Sequence, residues 1–152
     1  MGAADADHDL AQQAYEVGAE LARAGAILVN GGRGGVMEAA AKGASEAGGT
    51  TVAILPGADR RRANAYSDIV IPTDMGEARN VLIVRTADAL IALGGEFGTL
   101  SEIAFALKIG KPVVSFGSWD LERAGAPAGT LIVADSPKAA AEAALRASGR
   151  AG

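Results

Sequence analysis

Cysteine is absent from this chain, which excludes disulfides and thiolate metal ligands. Histidine occurs once, at His8 in the acidic opening "MGAADADHD", and is assigned no role; no metal site is expected. That opening is also unlike a signal peptide, and no apolar run reaches the ~18 residues of a membrane span. The expectation is a cytoplasmic protein. Basic excess is missing too: the net charge is −4 and the pI about 5.0, which argues against a nucleic-acid partner. The single basic cluster, Arg60-Arg61-Arg62, reads as a solvated loop more readily than as a phosphate clamp.

What remains is an ordinary mixture, 49% hydrophobic and 21% charged over 152 residues. A chain of that length forms one domain and buries roughly 68–70% of its unfolded surface. Glycine stands out. There are 21, about twice the usual ~7% share, and they gather at the ends of apolar runs rather than along a linker.

Helical spacing and terminal glycines predict helices over 10–24, 36–47, 77–86, 99–109 and 137–147. Short apolar runs predict strands over 26–30, 50–56, 68–72, 88–93, 112–116 and 130–133, with Pro72 placing the third at a sheet edge. The segments 57–67 and 117–129 read as a polar loop and a turn-rich stretch. Repeats and a second domain are not seen. Alternating strands and helices imply an α/β fold, a Rossmann-like, doubly wound, mostly parallel sheet with helices on both faces. The order is odd at the front, because a helix comes where such a sheet opens with a strand; the first strand is apparently missing from this chain. The helix at 77–86 is so apolar ("VLIV") that burial on more than one side is expected, with a homodimer or larger assembly contacting near Val81 and Val84.

Ligands of such sheets bind beyond the carboxyl ends of the strands, where two glycine loops fall. In "NGGRGGVME" (30–38), Gly31, Gly32, Gly34 and Gly35 can aim backbone N–H groups at an anion, the following helix start adds partial positive charge, and Arg33 adds a fork suited to phosphate. The alternative is a tight turn that needs glycine for close packing. Neither G-x-x-x-x-G-K-[ST] nor a complete G-x-G-x-x-G is present, which sets aside P-loop NTPases and weakens a dinucleotide fold. No lysine lies in a glycine loop, so pyridoxal chemistry is not expected.

"GGEFGTLSE" (94–102) repeats the arrangement with Gly94, Gly95, Glu96, Phe97, Gly98 and Thr99 as candidate ligand contacts. "TLSE" reads as a capping box, Thr99 as N-cap and Glu102 three residues on. The competing role for Glu102 is a carboxylate facing the crevice, able to hold a ribose hydroxyl or activate water. Glu96 faces a sugar hydroxyl, a base N–H or a metal, or is a solvated loop acid. Arg79 has the wrong sign for the helix start on which it falls and needs an acid or a ligand, whereas Arg85 suits a helix C-terminus.

At these loops the chain resembles the superfamily that includes the lonely-guy (LOG) phosphoribohydrolases and the molybdenum-cofactor carrier proteins. LOG enzymes carry G-G-G-S-x-G-L-M-G and P-G-G-x-G-T-x-x-E; the carrier branch, with N-G-G-R-x-G-V-M-E and G-G-E-x-G-T, is more similar. The likeness runs from about Tyr15 to Val114 and implies one Rossmann-like LOG-type domain over 1–152. It implies a binding or carrier protein for a phosphorylated small molecule, a nucleotide or a pterin such as molybdenum cofactor, with no further cofactor required. Alternatively it implies a nucleoside 5′-monophosphate N-glycosidase, in which Arg79 and Glu102 match the family's catalytic arginine and glutamate. Asn30, Arg33, Gly94 and Glu96 depart from the LOG pattern, reshaping the pocket floor. The family's first strand and its glycine turn are absent, "GAAD" being a candidate remnant.

Overall fold

A computed structural model describes residues 1–2, 6–119, 121 and 131–149. Helix and strand alternate: α1 His8–Arg23, β1 Leu28–Asn30, α2 Val36–Glu46, β2 Thr51–Leu55, β3 Ile69–Pro72, α3 Asn80–Thr86, β4 Leu90–Leu93, α4 Phe97–Lys108, β5 Val113–Phe116, β6 Ile132–Ala134 and α5 Pro137–Ala147. All pairings between these strands are parallel. β3 is an edge strand, as Pro72 predicts. The strand expected at 130–133 runs from 132 to 134, its first expected residue lying outside the described ones, as do 120 and 122–129 of the turn-rich stretch and 3–5 of "GAAD".

Two apolar layers sandwich the strands. On one face α1, α2 and α5 contribute Ala14, Val17, Val36, Ala40, Ala140, Ala143 and Ala144, closing over Leu93, Val114 and Phe116. On the other, Val84 of α3 and Ile103 and Ala106 of α4 cover Leu90, Ala92 and Val113. The helix expected at 77–86 begins as a 3-10 turn, Gly76–Arg79, and becomes α-helical at Asn80. It is one-sided rather than buried all round: Ile83 and Val84 are in the core while Val81 is 38% exposed. Val84, fully buried within its own chain, is therefore not available to a partner, and the expected contact at that residue is corrected.

Alanine-rich α1 and α2 come close because each offers a glycine to the other's backbone. A Cβ on Gly18 would collide with the Ala40 carbonyl, and one on Gly43 with the Tyr15 carbonyl. Neither glycine is needed for an unusual φ; both are needed for space.

The parallel sheet comes in two halves, β1-β2-β3 and β4-β5-β6. Between them is an apolar cleft of about 370 Å³, lined by Leu28 and Val29 on one side and Leu90, Ile91 and Leu93 on the other. Met1 also lines it, and residues 1–2 pair along β4: Gly2 bridges to Leu93 in parallel sense, the Met1 ammonium donates to the Ile91 carbonyl at 2.8 Å, and Leu93 N–H donates to the Met1 carbonyl at 3.0 Å. A Cβ on Gly2 would also strike Val36, the first residue of α2. The two glycine loops therefore emerge side by side, with residues 1–2 between them.

Candidate functional site

The loop after β1 is braced from both sides. Asn30, 7% exposed, accepts from Gly32 N–H at 2.8 Å and donates to the Met37 carbonyl at 2.9 Å, tying strand end to helix start. From the far side Asn64 N–H donates to the Gly32 carbonyl at 2.9 Å and its side-chain amide to the Arg33 carbonyl at 3.1 Å. Gly32 and Gly35 take φ of +70° and +62°, values that a side chain would make costly. Gly35 is then the N-cap of α2, with no side chain to occupy the first amides.

The second loop turns through Gly94 and Gly95, at φ +58° and +130°. That turn starts α4 at Phe97, two residues before the expected position, with Glu96 as N-cap and no side-chain cap. The capping-box reading of "TLSE" is thus corrected: Thr99 is inside the helix, buried, with its side chain against Gly95. Two flexible glycines delivered the chain into helical geometry early, so Thr-x-x-Glu spacing no longer coincided with the terminus. By contrast α1 and α5 have side-chain caps, Asp7 accepting from Leu10 N–H and Ser136 from Ala139 N–H. The two helices that follow glycine loops keep their orphan amides free of side chains, which suits an incoming anion.

Without a cap to make, Glu102 needs another explanation for being only 7% exposed. Burial pushes its carboxyl above the 4.5 of a free glutamate; the Met1 ammonium and Arg79 oppose that push. The Met1 ammonium is itself lowered by desolvation against the pull of Glu102. A carboxyl raised by burial favours the protonated form in the fold. Its contribution is therefore complete below 4.5 and is lost as pH rises through the raised folded value. Glu102→Gln should flatten the decline in stability above pH 4.5, which urea unfolding at several pH values would show; an unchanged profile would leave Glu102 without this role.

Arg79, at the end of the 3-10 turn, is 7% exposed and its Nε has no hydrogen-bond partner. Its guanidinium lies over the first glycine loop, so that a Cβ on Gly31 would collide with Nη1 and come within 2.8 Å of Nη2. Burial lowers its pKa, Glu102 pulls it back up, and Arg33 lowers it further. Among the described residues Arg79 makes no salt bridge. The geometry thus collects Gly31, Arg33, Arg79 and Glu102 into one electrostatic neighbourhood.

Not every candidate joins it. Glu96 and Phe97 are exposed at the start of α4, and among the described residues no contact joins either of them to Arg79 or Gly31. Arg60–Arg62 form an exposed 3-10 turn in which Arg61 is held by Asp59 at 2.9 and 3.0 Å. Arg62 nevertheless lines a cleft of about 530 Å³ with Arg33, Glu38, Pro56 and Asn64, at the carboxyl ends of β1 and β2. Arg85 lies in the last turn of α3 and over the Phe105 ring at 5.6 Å, and His8 is exposed in α1. Asn64 was not foreseen as part of the site. Its signal is the Asx turn it makes with Tyr66 N–H at 3.1 Å, which "NAYS" permits but does not demand.

A family model described as the SLOG cluster4 family matches residues 1–141. The molybdenum cofactor binding protein of the phototrophic bacterium Rippkaea orientalis superposes with a TM-score of 0.85 at 36% identity, covering 94% of this chain and 91% of its own. The molybdenum cofactor carrier protein of Chlamydomonas reinhardtii gives 0.82 at 36% identity, over 97% and 94%. The cytokinin riboside 5′-monophosphate phosphoribohydrolase of Mycobacterium tuberculosis is 36% identical over 120 residues, 73% of this chain and 64% of the enzyme.

Proposed function

Since this chain belongs to the SLOG cluster4 family, we propose that it binds and carries a phosphorylated small molecule, a nucleotide or a pterin such as molybdenum cofactor, across its two glycine loops. The observation that carries this reading is Arg79: a buried guanidinium, with Nε unpartnered, pressed against Gly31. A cation taken out of water without an ion pair costs several kcal/mol. A phosphate on the neighbouring amides would offset that cost through charge-assisted hydrogen bonds. The binding and carrier proteins of Rippkaea and Chlamydomonas support the same class of ligand. In this reading the protein works in the cytoplasm as a homo-oligomer, with Val81 and Met75 available on the surface beside the Arg79 turn.

Glu102 favours a second reading, hydrolysis of nucleoside 5′-monophosphates to free base and ribose 5-phosphate. A buried carboxyl whose pKa is raised by desolvation is suited to giving up or taking a proton in a reaction. As carboxylate it would stabilise positive charge developing at the anomeric carbon while water attacks. The Mycobacterium enzyme supports this alternative.

One experiment separates them. The purified protein is incubated with a panel of nucleoside 5′-monophosphates, free base is followed by chromatography, and binding by calorimetry, with Glu102→Gln alongside. Binding without base release is the expected result. Base release abolished in Glu102→Gln would make the protein an N-glycosidase. Neither binding nor release, for these nucleotides or for a phosphorylated pterin, would remove both readings.

A further inference from the structure

Phe97 is 79% exposed, an unusual placement for a large apolar side chain that gains by leaving water. It is not alone. Its ring meets Trp119 at 5.9 Å between centroids and 34° between planes. The indole is fixed to the second glycine loop: Trp119 Nε1 donates to the Glu96 carbonyl at 3.3 Å, and the neighbouring Ser118 hydroxyl donates to the Gly94 carbonyl. Ser115, at the third position of β5, holds the Trp119 carbonyl at 3.1 Å. A chain with three Phe, two Tyr and one Trp thus commits two of the six to one rim.

The position of this pair gives it meaning. Phe97 is the first residue of α4, so its own N–H is among the orphan amides of that helix, and the N-cap Glu96 supplies no side-chain partner. Any phosphate seated on those amides brings whatever it is attached to within reach of the Phe97 ring. The buried Arg79 side chain, with its Nε unpartnered, is an independent sign that an anion belongs in this crevice. An exposed apolar plane beside an anion seat matches a molecule with a phosphate at one end and a flat ring at the other.

We propose that Phe97 and Trp119 form the stacking surface for a planar heterocycle, and that they make the site select nucleotide- or pterin-like phosphates over aliphatic sugar phosphates. This rests on the phosphate-binding reading above and adds the specificity-determining residues. Stacking of one base on an aromatic side chain contributes about 1–3 kcal/mol, or about 5- to 150-fold in affinity.

Trp119 is the only tryptophan, so its fluorescence reports this surface alone. The protein is titrated with adenosine 5′-monophosphate, guanosine 5′-monophosphate, neopterin monophosphate, ribose 5-phosphate and orthophosphate, by fluorescence and by calorimetry. At least one of the ring-bearing phosphates should quench Trp119 and bind more tightly than ribose 5-phosphate, which should bind without quenching. Phe97→Ala should cut the ratio of heterocyclic to ribose 5-phosphate affinity by about 5- to 150-fold, whereas Phe97→Tyr should restore it. If phosphates bind but the ratio is the same in Phe97→Ala, stacking is refuted and the phosphate site survives. If no phosphate binds, both fall together. If Phe97→Ala instead converts an oligomer to monomers in sedimentation, the aromatic pair is a subunit contact and the proposal is wrong.

Discussion

Gly43→Ala should lower stability by about 3 kcal/mol, at the upper end of what overpacking costs, and bring Tm down by about 6–12 °C for a domain of this size. The sign is the informative part. In the interior of an exposed helix, glycine to alanine is worth up to about 1 kcal/mol of added stability, because alanine loses less backbone entropy. Here α2 presents Gly43 to the carbonyl of Tyr15, and the added methyl has nowhere to go unless the helices separate. Separation would pull Ala14, Val17 and Ala40 out of register over Leu93 and Val114. Thermal and urea unfolding would measure the loss. A variant as stable as the parent would mean that α1 slides on α2 at little cost.

Arg79→Met should do two opposite things. Removing a buried guanidinium whose Nε has no partner relieves a desolvation penalty, so stability should hold or rise. Affinity for a phosphorylated probe such as adenosine 5′-monophosphate should fall by at least about 30-fold, the low end of the 2–5 kcal/mol typical for losing one partner of a buried charged pair. Calorimetry and thermal unfolding on the same sample give both numbers. If the variant unfolds earlier and still binds as before, Arg79 is a structural residue of the 3-10 turn, and the anion is held elsewhere.

Much of this architecture can be read along the chain. Ser136-Pro137 marks the start of α5 and Gly25 the stop after α1, because cap and breaker residues act locally. The glycine loops were legible for the same reason: strand, glycines and helix follow one another in sequence. Three features were not. Thr99 and Glu102 fit a capping box by spacing, yet Gly94 and Gly95 shift the helix start by two residues, and glycine torsions are not fixed by the sequence around them. "VLIV" looks apolar all round, but Ile83 and Val84 face the core while Val81 faces out, a distinction that depends on where α4 packs. Gly18 and Gly43 lie inside two helices where nothing local marks them out, and only their juxtaposition shows that they permit close approach. The orphaned Arg79 belongs to the same class: its position was suspect in sequence, but its burial against Gly31 is a tertiary fact.

Among the described residues the two half-sheets exchange no strand pairing, so the helices packed across them must hold one plate against the other. Each plate carries one of the two glycine loops at its rim. A cargo that touches both loops is therefore also a clasp across the seam, and mass action makes its presence a source of cohesion as well as a load.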